Sequence, residues 1–399
     1  MVAPDLPREA EVVVVGGGCM GASIAFHLAR RHVDVVLLEK GHVAGGATGH
    51  SGALVRQHYE ARIGIQLARE SLAFFRRFEK ETGFSCDFRT TGFLSGTRER
   101  DLPAFDALLE LLQSEGVRGE RLTPSDAKVM ESQLEVSDYA ALVHDPDAGY
   151  ADPIATAHGF ATAAVVEGAK VLDDRTVDSI ATRTGRVVGV KVRGGAGLLK
   201  SGRVVVATGN WTRDLVAAVG PRLPIRYVRG EVAILRRPID FGPSPRIHFD
   251  FYGNTYSRPD GEKDTLAGYM DTDPRKTIRD HDLVETLPAT TARDIRTRLA
   301  KRFPRMAEAQ PRGGWAGAYD VTPDSYPILD RVGPEGLFVA VGFSGHGFKL
   351  SPEVGRLVAE HVATDRRPEW LEPLRASRFA EGSPIRPDAP FPRRGRRLP

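Results

Sequence analysis

Two glycine-rich turns in this sequence carry residues of the right type and spacing to hold charged groups. In the first, Gly16-Gly17-Gly18-Cys19-Met20-Gly21 fits G-x-G-x-x-G. It stands between an apolar run, EVVVV at 11–15, and a stretch with helical spacing through Met20, Ile24, Phe26 and Leu28. Glycines at these places let the backbone turn sharply and approach a pyrophosphate, whose charge then lies at a helix N-terminus. Glu39 closes the next apolar run, VDVVLLE at 33–39, about twenty residues on, where a carboxylate accepts hydrogen bonds from a ribose diol. Strand, turn, helix and strand in that order form a βαβ unit with a parallel pair, so a bound dinucleotide is expected. In the second turn, GFSGHGFKLSP at 342–352, Gly342, Gly345 and Gly347 alternate with a serine and His346 and lead into Lys349. On residue type alone, Lys349 would be a solvated charge in a loop ahead of the terminal helix.

The elements that must position these turns are spread along the chain. The spacing predicts a long amphipathic helix over 60–81 and another over 103–116. Short strands follow over 171–208, and antiparallel strands over 225–270 with a turn at Pro259-Asp260-Gly261. A helix at 287–303, a buried strand at 337–343 and a last helix at 352–363 complete the pattern. The 399 residues exceed the roughly 250 to 300 at which single cores stop growing, so two domains are expected. Lys and Arg number 55 against 52 Asp and Glu, and no basic run exceeds RRGRR near the end, which argues against a nucleic-acid partner. The N-terminus lacks the features of a secretory signal, and no apolar stretch approaches a membrane span. Cys19 and Cys86 are too few for a disulfide framework or a thiolate metal site, so a reducing cytoplasm is the expected location. The segment 381–399, rich in Pro and Arg, reads as a mobile tail.

After Glu39 comes KGHVAGGATGHSGALVRQHYE, a glycine-rich return in place of the regular continuation of a nicotinamide dehydrogenase. With GGGCMG, RVVVATGNW at 203–211 and GFSGHGFKLSP, it makes residues 10–380 resemble the FAD-dependent amino-acid and amine oxidoreductases, which include glycine oxidase, sarcosine oxidase and dimethylglycine dehydrogenase. The resemblance implies a mixed α/β (α+β) fold. A Rossmann-like FAD-binding domain would be assembled from 1–85, 150–224 and 325–380, and an antiparallel-sheet substrate domain from 86–149 and 225–324. It further implies FAD contacts at Gly16, Gly18, Cys19, Met20, Gly21, Glu39, Lys40, Ala47, Thr48, His50, Ser51, Val177, Thr208, Gly209, Trp211, Gly342, Gly345, His346, Gly347 and Lys349.

In such families an arginine after the glycine return and a lysine in the final glycine-rich stretch grip an amino-acid carboxylate, and Arg56 and Lys349 stand at those places. A planar fork and a compact charge together orient a carboxylate while leaving the carbon beside the nitrogen over the flavin. Tyr256, Arg258 and Tyr319 lie in segments that pass over the substrate in relatives. Backbone N–H groups of the last glycine turn would stabilise negative charge on the reduced ring, and His346 either adds to that field or packs against the backbone. The implied reaction passes a hydride from Cα–H to the flavin and leaves an imine, which hydrolyses to a 2-oxo acid and an amine. Gly317 stands where monomeric sarcosine oxidases attach FAD through a cysteine. His50 falls close to the histidine that binds flavin in dimethylglycine-dehydrogenase relatives, although noncovalent FAD is the expectation. Leu266 replaces the lysine that assists reaction with oxygen, with Lys263 three residues away, so the electron acceptor is oxygen or another oxidant. The expected substrate is an N-substituted glycine; a flavin monooxygenase and a noncatalytic FAD-bearing subunit are the competing readings.

Overall fold

The computed structural model describes residues 6–194, 197–270, 276–279 and 283–390. Its first sheet has six strands in the order Ile328–Arg331, Leu337–Val341, Arg203–Val206, Val12–Val15, Val35–Leu38, Lys170–Leu172. All pairs are parallel except the outermost, Ile328–Arg331 with Leu337–Val341. The central strands are continuous Val and Leu runs because both faces are covered. Val12 and Val14 enter one core, and Val13 and Val15 enter the other.

The helix Cys19–Ala29 lies on one face of this sheet with every residue buried. It packs on helices Pro153–Val166 and Gly347–Thr364. The second sheet has nine strands and is antiparallel apart from the pair Phe93–Thr97 with Ile247–Asp250. Its long central strands, Arg226–Arg236 and Gln310–Val321, pair with each other, and helix Ala289–Leu299 covers it around Ile295 and Leu299. The mixed α/β fold with one largely parallel and one largely antiparallel sheet is therefore the architecture expected.

Several boundaries differ from the sequence reading. The helix expected over 60–81 is two, Arg62–Phe75 and Phe78–Thr82. The chain bends at Arg76 and Arg77 so that both Phe75 and Phe78 are buried, the latter with its ring 4.8 Å from that of Phe160. Pro259 and Asp260 belong to the strand Thr255–Asp260, opposite Thr265 and Asp264, so the hairpin turns at Gly261-Glu262-Lys263 instead. The last helix starts at Gly347 and takes in both Lys349 and Pro352. Proline cannot donate to the carbonyl four residues back, and Ser351 Oγ donates to that carbonyl, Phe348 O, at 2.8 Å. Residues 381–390, read as mobile, are held by backbone hydrogen bonds to Asp324 and Glu60; 391–399 lie outside the described residues.

The first turn tolerates no side chain at two of its glycines. A Cβ on Gly21 would stand 1.9 Å from the Gly16 carbonyl oxygen, and one on Gly16, whose φ is +106°, 2.5 Å from Ala207 O. Gly21→Ala should therefore lose the bound dinucleotide and lower the thermal midpoint. The checks are the ratio of cofactor to protein absorbance and a melting curve, and wild-type values in both would contradict the turn's geometry.

Candidate active site

The carboxyl ends of parallel strands, at Val15 and Leu38, and residues of the antiparallel sheet, Tyr256 and Tyr319 among them, line a cavity of about 1950 Å³. That is roomier than the roughly 300 to 1,000 Å³ of an ordinary small-molecule pocket and suits a dinucleotide with a substrate beside it. At one end the cavity is walled by Gly16, Gly18, Cys19 and Met20, by Glu39, Lys40, Ala47, Thr48 and Ser51, and by Val177, Thr208, Gly209 and Trp211. Gly17 N–H donates to Glu39 Oε2 at 2.7 Å and Gly41 N–H to Glu39 Oε1 at 2.9 Å. The carboxylate is thereby fixed across the turn with lone pairs left for a diol. Cys19 N–H donates to Thr48 Oγ1 at 3.0 Å, while the other first-turn N–H groups have no partner inside the helix. Lys40 lies over the Trp211 ring, 3.1 Å from its centroid.

Asn210 lies in the same wall, nearly buried. Its amide donates to Ala318 O at 3.3 Å, and its Oδ1 has no partner among the described residues. A glycine cradle that a Cβ would fill and a helix N-terminus both fit a polyhydroxylated, pyrophosphate-bearing group, and a buried acceptor left unpaired among the described residues belongs to the same wall.

At the other end the cavity is walled by Arg56, Tyr59, Phe249, Tyr256, Tyr319, Asp320, Gly345, His346, Gly347 and Lys349. The Arg56 guanidinium lies between two rings, its Cζ 5.0 Å from the Tyr59 centroid and 4.7 Å from that of Phe249, and it donates to the His58 carbonyl. Lys349 is the third residue of its helix and only 6% exposed. Burial, and after it the charge of Arg56, holds its ammonium well below the usual lysine range, with the Cys19 thiol a smaller influence in the opposite direction. A desolvated ammonium set against another cation is an arrangement that an anion would relieve.

Burial raises both Tyr256 and Tyr319, so each phenol keeps its proton through the physiological range and can donate. The His346 ring packs on that of Tyr59 with centroids 5.3 Å apart, and its Nδ1 is 3.4 Å from the Tyr59 hydroxyl.

Four sequence-derived candidates are not in the cavity wall. Arg258 lies over Tyr150 and donates to the carbonyls of Gly52 and Pro259 and to Asp260, so it braces the strand beneath the site. His50 turns Nδ1 to the Gly46 carbonyl at 3.0 Å and Nε2 towards Glu285 at 3.6 Å. Gly21 lies behind the turn. Gly342 cannot offer its N–H to a ring, because that N–H donates to Asp320 Oδ2 at 2.6 Å. Leu266 is fully buried in its sheet and Lys263 sits in the hairpin turn, so neither lines the cavity.

The sequence reading passed over Asp320. Its second oxygen accepts from Phe343 N–H at 3.2 Å and its carbonyl from Ser344 N–H at 2.9 Å, so one residue holds the whole start of the final glycine turn. Burial pushes this carboxyl up to about 6 against the pull of those donors. An acid directly after Tyr319 in YDVTPD was the available signal, but its partners lie more than twenty residues away.

Residues 11–361 match the FAD dependent oxidoreductase family (DAO). A solved structure of L-proline dehydrogenase from P. horikoshii is similar with a TM-score of 0.87 and 28% identity, covering 95% of this chain and 100% of that one. Glycine oxidase from Geobacillus kaustophilus is 27% identical over 92% of this chain and 97% of its own. The 4-methylaminobutanoate oxidase (formaldehyde-forming) of Paenarthrobacter nicotinovorans is 29% identical over 90% of this chain, which spans only 44% of that enzyme's length. A family match over so much of the sequence makes the membership plain: the chain belongs to the FAD-dependent oxidoreductases, and the dinucleotide its first turn is shaped for is FAD.

Proposed function

We propose that the protein oxidises the C–N bond of a carboxylate-bearing amine, an N-substituted glycine or related secondary amino acid. The imine formed hydrolyses in water to a 2-oxo acid, glyoxylate for a glycine derivative, and an amine. The observation that carries this reading is Lys349, an ammonium buried in the cavity wall and acted on by the charge of Arg56. Relatives named for glycine, L-proline and 4-methylaminobutanoate support it, since each of those compounds joins an amine to a carboxylate. A flavin monooxygenase would leave a carboxylate-directed pair of cations without a purpose.

FAD supplies the hydride acceptor when bound, and Gly16, Gly18, Glu39, Thr48 and Asn210 are the residues that would hold it. The chain's own part is orientation. Arg56, its guanidinium plane held between Tyr59 and Phe249, presents a fork to the two carboxylate oxygens, and Lys349 adds a compact charge. Fixing the carboxylate fixes the carbon beside the nitrogen, which converts a loose encounter into an aligned one. Tyr256 and Tyr319, both protonated, are placed to hydrogen-bond the nitrogen or the carboxylate. The first-turn N–H groups of helix Gly347–Thr364 put a positive dipole end on the same cavity. Noncovalent attachment is part of the proposal. Gly317 has no sulfur, and His50 is turned onto Gly46 and Glu285. So is the division of labour between a cofactor half, residues 1–85, 150–224 and 325–380, and a substrate half, 86–149 and 225–324. Electrons leave to oxygen or another acceptor.

Mixing the yellow protein anaerobically with sarcosine, glycine, proline and D-amino acids should bleach the flavin band with at least one of them and without NAD(P)H. Bleaching by NADPH but by no carboxylate-bearing amine would sink the reading in favour of a monooxygenase, and bleaching by neither would favour the noncatalytic subunit.

Arg56→Ala and Lys349→Met should retain FAD but each raise KM by about 10- to 100-fold, as expected for one charge-assisted hydrogen bond. The lysine also sets a pH dependence. In the empty site its proton leaves well below the usual lysine value, and a bound carboxylate favours the charged form again. Binding therefore takes up a proton between those two values, so affinity for a carboxylate inhibitor should fall as pH rises, by up to about tenfold per unit. Flavin-monitored titrations from neutral to alkaline pH check this, and Lys349→Met should bind more weakly at neutral pH without that slope. A slope that survives the substitution would remove Lys349 from the clamp.

A further inference from the structure

Beyond the last short helix, residues 383–390 return to the site. Pro384, Ile385, Arg386, Pro387 and Pro390 are part of the same cavity wall as Arg56 and Lys349. Arg386, Pro387 and Pro390 are at the same time exposed, which makes the segment an outer rim. Three prolines in seven residues fix φ along it, so it is a stiff span that loses little entropy when ordered.

The span is fastened at both ends. Upstream, Ile385 N–H donates to Asp324 Oδ2 at 3.0 Å. The same carboxylate takes the two-pronged fork of Arg378 at 2.8 and 2.9 Å, in a pair whose side chains are 0% and 2% exposed. Downstream, the N–H groups of Asp388 and Ala389 both donate to the Glu60 carbonyl, at 2.9 and 3.1 Å, and Asp388 Oδ2 accepts from Arg62 N–H at 2.8 Å. Glu60 follows Tyr59, the residue whose ring lies against Arg56 and His346. The strap is thus tied directly to the stretch of chain that carries the carboxylate-binding arginine.

We infer that residues 383–390 are a specificity-determining strap: they narrow the mouth of the cavity and thereby limit the substituent on the substrate nitrogen. The limit on the substituent rests on the proposed oxidation of a carboxylate-bearing amine, whereas the narrowing of the mouth does not. Removing the strap opens the rim and takes away none of the side chains proposed to hold the carboxylate.

Three chains test this beside the full protein: one ending at Gly382, one ending at Pro390, and Asp388→Ala. Iodide quenching of the bound flavin's fluorescence reads access without any substrate. The ratio of kcat/KM for N-benzylglycine to that for sarcosine reads selection. The chain ending at Gly382 should be quenched more readily and should raise the ratio about tenfold, a size typical of relieved crowding in an apolar site. Asp388→Ala should move both readouts the same way by less, and the chain ending at Pro390 should move neither. If the shortest chain does not fold, Asp388→Ala carries the test. Unchanged quenching, or the same change in the chain ending at Pro390, overturns the strap, and increased quenching with an unchanged ratio overturns its part in selection. If no chain is reduced by any amine while quenching still increases, the substrate reading fails and the selective role falls with it, though the rim stands.

Discussion

The site depends on how closely the last helix can lie on the first. Helix Gly347–Thr364 crosses helix Cys19–Ala29 at Gly355, where a Cβ would stand 2.1 Å from Ser23 Oγ. No side chain fits between them, so the two backbones touch. Two glycine turns more than three hundred residues apart therefore open on one cavity, and Lys349 comes within electrostatic range of Cys19 in the first turn. Both helix N-termini face that cavity, and each carries a partial positive charge from its orphan N–H groups. The fold has produced a place for anions before any charged side chain is counted.

The charged side chains then divide that place. Glu39, bridged to Gly17 and Gly41, occupies the end where a ribose would sit and forms a negative boundary there. Arg56 and Lys349 occupy the other end, where burial and then the charge of Arg56 disfavour the charged form of Lys349. On the proposed reading a carboxylate, unlike a neutral ligand, interacts favourably with both cations. The aromatic rings around Arg56 matter for the same reason. Packing on two rings restricts the guanidinium, so less entropy would be lost on binding an anion.

What could be read from the sequence was local, and what could not was set by partners far along the chain. The βαβ unit, the turn and Glu39 fall within one window of some thirty residues, and the pattern there is sufficient. Lys349 was placed by resemblance to a family, not by its neighbours, which read as a loop. The loop reading failed because glycine and Pro352 ordinarily discourage a helix, and the hydrogen bond from Ser351 Oγ to Phe348 O that accommodates the proline looks like any other serine in a sequence. The helix over 60–81 is broken at Arg76 and Arg77, and beyond the break Phe78 packs edge-on against Phe160, some eighty residues on. Arg258 and His50 have suitable chemistry at suitable positions, but the side of the strand or turn on which each emerges is decided by Tyr150 and Gly46. The Pro-rich end reads as mobile because most of its fastening, to Asp324 and Glu60, uses its backbone N–H groups, which no composition records.

Asp320 shows how the two sheets act as one site. It is the last residue but one of the long strand Gln310–Val321 of the antiparallel sheet, and it holds Gly342 and Phe343, which leave the parallel sheet after Val341. Next to it, Val321 bridges Phe343 and Thr322 N–H donates to Ser344 Oγ at 3.2 Å. Tyr319, on the antiparallel sheet, and His346 and Lys349, beyond the last parallel strand, are therefore spaced by one short seam of hydrogen bonds, not by the packing of two independent halves. A carboxylate at this point serves better than a neutral amide, because both of its oxygens accept from N–H groups and an amide nitrogen cannot. The cost is that the charge is buried, which raises its pKa to about 6. At neutral pH the group is still ionised and the seam keeps both acceptors, so this buried charge sets the spacing between Tyr319 and the final glycine turn.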